Sequence, residues 1–260
     1  MKKVLTLILS LFLIVPSLHG EDRDATVELL FDRVLFDVSD TPVGIIPGQG
    51  LCTAIGNKIV GLDADRNDRF KEIILKDSTV TIDGFTVIGN HLVFRSDKSI
   101  IWNTLDDTMD GITFADKEFS IAPASDTTLF VIHHPEKELF EISLKNKKSL
   151  WSSRMDEPVV TLTRIGRDIV TVTTRHIALF IDGEWNIMHT HPVDITSAAF
   201  TSHGIFFGTS DALWRLHGPD EIEHVATGNV SCLLSDGDRL YVIDGENNVY
   251  AVSFSRKPSH

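Results

Sequence analysis

Short apolar runs separated by turns of Gly, Asn, Asp and Ser recur six times from about residue 50 to the end of the chain. The leading runs are Lys58-Ile59-Val60, His91-Leu92-Val93, Leu129-Phe130-Val131, Asp168-Ile169-Val170, Gly204-Ile205-Phe206-Phe207 and Arg239-Leu240-Tyr241-Val242. Their anchors Ile59, Leu92, Leu129, Ile169, Ile205 and Leu240 stand 33, 37, 40, 36 and 35 residues apart. Such runs, rich in β-branched and aromatic residues and bounded by turn formers, read as strands. Strand-type units at a period near 36 predict an all-β fold: a six-bladed β-propeller of four-stranded antiparallel blades.

The fifth unit shows the pattern most fully. Residues 195–201 form a first strand (A), 205–208 a second (B), 212–216 a third (C) and 222–227 a fourth (D), with turns at Ser202-His203-Gly204, Thr209-Ser210-Asp211 and Gly218-Pro219-Asp220. The sixth unit supplies strands near 230–234, 240–243 and 248–254, and then the chain stops one strand short. The segment Arg33-Val34-Leu35-Phe36-Asp37-Val38 has no blade of its own, and as the missing outer strand it would close the ring and cover an open edge. A short amphipathic helix over residues 26–36 is the competing reading. The chain thus divides into a leader at 1–20, an arm with a ring-closing strand at 21–49 and a propeller domain at 50–260.

Two resemblances follow from individual strands. Ile195-Thr196-Ser197-Ala198-Ala199-Phe200 resembles the first strand of a WD-repeat blade, and Ser99-Ile100-Ile101-Trp102-Asn103 resembles the end of its third, with Asn in place of Asp. Glu138-Leu139-Phe140-Glu141-Ile142-Ser143, followed by Lys147-Lys148-Ser149-Leu150-Trp151, is similar to the strand–turn–Leu-Trp unit of quinoprotein propellers. The recurring Gly-His and Trp-Asp dipeptides of WD repeats are absent, and Lys145-Asn146-Lys147 stands where the quinoprotein Thr-Gly turn would be. The resemblance implies a propeller superfamily and carries over no quinone-binding residues.

The first residues change the picture of where the chain works. Lys2 and Lys3 precede an apolar run over 4–15 that is broken by Pro16, the pattern of a secretory signal peptide and too short for a span of ~20 residues. The expected location is therefore secreted or periplasmic, with no membrane span in the mature chain. The formal net charge of -13 becomes -15 when the two leader lysines are removed. That balance repels phosphate backbones, so nucleic acid is a poor partner and a protein in the envelope or extracellular space a better one.

Candidate chemistry is sparse. Cys52 and Cys232 are the two cysteines, placed seven and eight residues before the anchors Ile59 and Leu240. In an oxidising compartment they are a disulfide candidate across the seam between first and last blades; otherwise they are small buried thiols near the axis. Asp63-Ala64-Asp65-Arg66-Asn67-Asp68 spaces oxygens as a calcium loop does, but lacks Gly at its sixth position and Glu at its twelfth, and contains Arg66. It reads as a polar turn; calcium is the one ion considered for it, and no cofactor or metal site is expected. His189-Thr190-His191 places two imidazoles on one face of a strand, expected to be a solvated outer-strand pair. Gly245 is expected to supply a positive φ in the turn Asp244-Gly245-Glu246-Asn247-Asn248.

No nucleophile elbow, phosphate loop or His-Glu-x-x-His motif occurs, and no catalytic residue is assigned. Function is expected on the B–C loops of one face: Asp63, Asp65 and Asp68; Asp97; His133 and His134; Arg175 and His176; Asp211; Asp244 and Glu246. The reading is a non-catalytic scaffold for protein interaction. The alternative is a metal-dependent propeller hydrolase of the lactonase or esterase kind, which needs carboxylates and Asn or His converging on the central channel.

Overall fold

The computed structural model describes residues 25–31, 41–62, 72–103, 109–219, 221–237 and 239–254. They form six four-stranded antiparallel sheets. Strand β1 (Ala25–Phe31) stands apart in sequence from its sheet. Blade 1 comprises β2 (Val43–Ile46), β3 (Gly50–Ile55), β4 (Lys58–Gly61) and β5 (Ile73–Ile74). Blade 2 comprises β6 (Gly84–Ile88), β7 (His91–Ser96), β8 (Ser99–Asn103) and β9 (Met109–Thr113). Blade 3 comprises β10 (Phe119–Ser125), β11 (Thr128–His133), β12 (Glu138–Ser143) and β13 (Ser149–Arg154). Blade 4 comprises β14 (Val159–Ile165), β15 (Asp168–Thr173), β16 (His176–Ile181) and β17 (Glu184–Thr190). Blade 5 comprises β18 (Ser197–Thr201), β19 (Gly204–Gly208), β20 (Ala212–Gly218) and β21 (Glu221–Thr227). Blade 6 comprises β22 (Val230–Asp236), β23 (Arg239–Asp244) and β24 (Val249–Phe254), completed by β1.

The first strands β2, β6, β10, β14, β18 and β22 each contact the next in an unbroken circle, which makes them the inner wall of a six-bladed β-propeller. The ring is closed by β1, which pairs antiparallel with β24 from Ala25 opposite Phe254 to Phe31 opposite Val249. Closure by an N-terminal strand is as expected, but the strand is not the expected segment. Residues 33–38 lie outside the described residues, and residues 26–31 are extended rather than helical. The inner strand of blade 1 begins at Val43, ahead of residue 50, so the N-terminal arm contributes two strands to the ring.

One repeat anchor is also displaced. Leu92, Leu129, Ile169, Ile205 and Leu240 all lie on B strands, whereas Ile59 lies on β4, the C strand of blade 1. The true B strand there reads Gly-Leu-Cys-Thr-Ala-Ile. Its small residues carry less of the bulky apolar signature that marks the other units.

Each blade-to-blade interface holds its own apolar cluster. Ile88, Val93, Ile100 and Trp102 of blade 2 meet Phe119, Leu129, Val131 and Ile142 of blade 3. Phe130, Ile132 and Leu139 of blade 3 meet Leu162 and Ile169 of blade 4. Successive residues of β11 therefore serve opposite interfaces, Leu129 and Val131 on one side and Phe130 and Ile132 on the other, because side chains alternate along a strand. This is why the B strands read as unbroken apolar runs. Full burial of each such side chain contributes about 1.5–3 kcal/mol. Among the buried polar groups is a carboxylate: Glu141 accepts from Thr128 Oγ1 at 2.8 Å and from the Arg164 guanidinium across the interface. Among the described residues no helix is long and apolar enough to cross a membrane.

Candidate functional site

Hydrogen bonds tie the B–C turns to the D–A connections that lead into the next blade, so these two sets of loops share one face of the disc. In blade 2, Arg95 donates to the carbonyls of Asp83 at 2.8 Å and Phe119 at 2.6 Å, and the Asp97 N–H donates to Asp83 Oδ2 at 2.7 Å. Asp97 adopts a φ of 48°, the left-handed conformation of its tight turn. In blade 4, Thr173 Oγ1 accepts from the N–H of His176 at 2.8 Å and donates to Glu157 Oε2 at 2.8 Å. His176 Nε2 lies 3.3 Å from Glu157 Oε1, and Arg175 Nε donates to the carbonyl of His191 at 3.0 Å.

Two of the expected face residues prove to be turn builders. Asp211 accepts from Thr209 Oγ1 at 2.6 Å. Asp244 Oδ1 accepts from the N–H groups of Glu246 at 2.8 Å and Asn248 at 2.9 Å. In that turn the positive φ, 64°, belongs to Asn247 and not to Gly245 as expected. Gly245 instead sits close to the Asn229 side chain: a Cβ there would lie 2.4 Å from Asn229 Nδ2. Glu246 is exposed, as are Asp97, His134, Arg175 and Asp211. Asp63, Asp65 and Asp68 lie outside the described residues.

Blade 3 carries the densest chemistry on this face. His133 ends β11, with its backbone paired to Phe119 on one side and Glu138 on the other. Its Nε2 is 2.8 Å from Asp116 Oδ2, in the connection from blade 2, and its Nδ1 contacts Glu136 Oε2 in the B–C turn. The His133 hydrogen bond and the Glu118 N–H hold the Asp116 carboxyl below the ordinary aspartate range. Among the described residues this is the group of His, Cys, Asp and Glu side chains with spacing able to hold a metal ion. His133 stands out in the sequence; Asp116 and Glu136 do not, because Asp116 and His133 stand 17 positions apart and meet only through the register of β10 on β11.

His189 and His191 lie on the same side of β17 and its extension, but they are buried and not solvated as expected. His189 Nε2 and His191 Nδ1 are 3.3 Å apart, and both rings pack on Phe207 of blade 5. Burial first, and then the neighbouring His189, push the His191 pKa below its ordinary value.

Both cysteines are free thiols, and the geometry gives the reason the proposed pairing is not made. Cys232 sits on the inner strand β22 and packs in the seam with Tyr241, Ile243 and Leu51. Cys52 sits on the second strand β3 and packs with Ile82, Phe85 and Phe94, toward blade 2. Leu51 and Cys52 alternate, so Leu51 takes the seam and Cys52 faces away from it. Burial pushes both thiols up to about 12.

On the opposite face a cavity of about 400 Å³ opens between blades 4 and 5, lined by Ile165, Val170, Met188, Phe200 and Leu216 with His203 and His217 at its polar side. Nothing in the repeat pattern marks this position.

No family model matches the chain, and no curated protein matches it by sequence. Solved structures do match in fold. A streptogramin B lyase superposes with a TM-score of 0.61 at 12% identity, covering 89% of this chain and 98% of the lyase. The β-propeller domain of Cps50 (Swd1) from Myceliophteria thermophila gives 0.58 at 13% identity, covering 83% of each chain. BBS1N, solved in complex with ARL6DN, gives 0.58 at 14% identity, covering 83% of this chain and 78% of that one. The chain is a β-propeller. At these identities the likeness concerns the fold alone, which serves enzymes and binding modules alike.

Proposed function

We propose that this propeller is a non-catalytic protein-interaction scaffold, secreted or periplasmic, which docks a protein partner on the face of its B–C and D–A loops. The observation that carries the reading is how ionisable groups are distributed on that face. They pair off blade by blade: Asp83 with the Asp97 turn, Asp116 and Glu136 with His133, Glu157 with His176, and Arg175 with Asp194. This leaves a mixed, varied polar surface on a rigid disc, suited to specificity through charge complementarity. A hydrolase centre asks for convergence of several blades on the axis, whereas the one metal-competent group described draws on a single B–C turn and its adjoining connection. The leader-like first residues support an extracytoplasmic setting, and the acidic balance supports a protein over a nucleic acid. A structural neighbour solved with a bound partner is consistent with the same use of the fold.

The test is affinity capture from the native envelope fraction with three forms of the tagged mature protein: wild type, Arg175→Glu/His176→Ala on the loop face, and Lys145→Glu/Lys148→Glu on the opposite face. The expected result is a stoichiometric partner that the first variant loses and the second retains. Equal capture by all three, or metal-dependent turnover of simple esters or lactones, would overturn the reading.

A further inference from the structure

We propose that Asp116 and His133, oriented by Glu136, form a binding site for a divalent transition-metal ion of the zinc type. The inference stands apart from the docking of a partner and rests on the donor set itself. Imidazole nitrogen and carboxylate oxygen together suit zinc, cobalt or nickel better than calcium or magnesium, which take oxygen alone. Donor atoms of Asp116, His133 and Glu136 lie within 4.8 Å of one another, with Asp116 and Glu136 on the two ring nitrogens of His133.

The two ring nitrogens of His133 have distinct roles. Glu136 holds Nδ1, the position from which a carboxylate fixes tautomer and ring orientation in many histidine metal ligands. Nε2 then faces Asp116 Oδ2 at 2.8 Å. Two donors sharing a tetrahedral ion at bonds of about 2.0–2.1 Å stand about 3.3 Å apart, so roughly half an ångström of opening admits the metal in place of the bridging proton.

The donors are already held. Asp116 Oδ1 accepts from the N–H of Glu118 at 3.1 Å, and His133 is clamped on both sides by the β-ladder. Asp116 is partly open to solvent and Glu136 more so, which leaves room for water in the remaining positions.

The experiment uses metal-free, tag-free protein, since a histidine tag would mask the site. Cobalt binding is followed by visible absorption and zinc binding by calorimetry, at pH about 7.5 and about 5.5. One equivalent of either ion should bind at the higher pH, and the affinity should fall at the lower pH, where protons compete with the metal for its ligands. His133→Ala and the conservative Asp116→Asn should each abolish the cobalt spectrum while leaving the melting transition cooperative. Glu136→Gln should weaken binding about 10–100-fold, the usual effect of losing an orienting carboxylate. No binding by the wild type would overturn the proposal. So would binding that survives His133→Ala but is lost in His191→Ala, which would move the site to the buried histidine pair.

Discussion

Histidine-191 shows how a single buried ring couples this fold to pH. Burial lowers its pKa most; the neighbouring His189 and Arg175 act in the same direction, and Asp211, which favours the charged ring, is outweighed. An unfolded chain would protonate this residue near ~6.5, while the folded chain does so only at lower pH. The unfolded state therefore binds the proton first on acidification, and stability falls as pH drops through ~6.5 toward the folded value. The urea midpoint of the wild type should decline over that window, and His191→Gln should flatten the decline. An unchanged slope in the variant would assign the titration elsewhere. The two thiols make a second prediction at this scale. With pKa values near 12, Cys52 and Cys232 should resist alkylation in the native protein at pH about 8. Both should react once the chain is denatured without reductant; finding no reactive thiol there would mean that a disulfide forms.

Between elements, stability resides in how closely one blade approaches the next. Gly208 at the end of β19 shows this, since a Cβ there would lie 2.4 Å from Val230 Cγ1 and 2.5 Å from Val230 Cβ. Val230 is buried in the cluster joining blades 5 and 6 and is β-branched, so it has little freedom to yield. Gly208→Ala should destabilise by about 1–3 kcal/mol, the usual cost of overpacking. Adding Val230→Ala should recover part of that loss, with a coupling above ~0.5 kcal/mol in a double-mutant cycle from chemical denaturation. A neutral Gly208→Ala would show that this interface can open. The strand pattern was legible here: the B strands of blades 2 to 6 lie where their apolar runs place them. Blade 1 departs from this because its B strand contains the small residues Gly50, Cys52, Thr53 and Ala54, so the bulky apolar signature falls on the following Lys58-Ile59-Val60 of its C strand.

For the whole molecule the decisive contact is the pairing of β1 with β24. It joins residues more than 200 positions apart and converts an open array into a ring. Without it β24 would present a bare edge, paired only with β23. Deleting residues 21–40 should therefore give aggregated protein, or protein that melts without cooperativity, as read by size-exclusion chromatography and thermal denaturation. A soluble deletion variant with a sharp transition would show that blade 6 is stable with three strands.

The amino-acid sequence by itself determined the number of blades, the strand type and most of the turns. Those depend on local alternation, β-branched content and turn chemistry, which each segment carries within itself. Tertiary structure decided what depends on register and closure. It selected Ala25–Phe31 as the closing strand, because there the backbone pairs with the free edge of β24. It turned Cys52 away from the seam, because one step along a strand reverses the face of a side chain. It also brought Asp116 onto His133, 17 positions away, because the pairing of β10 with β11 folds the chain between them back on itself.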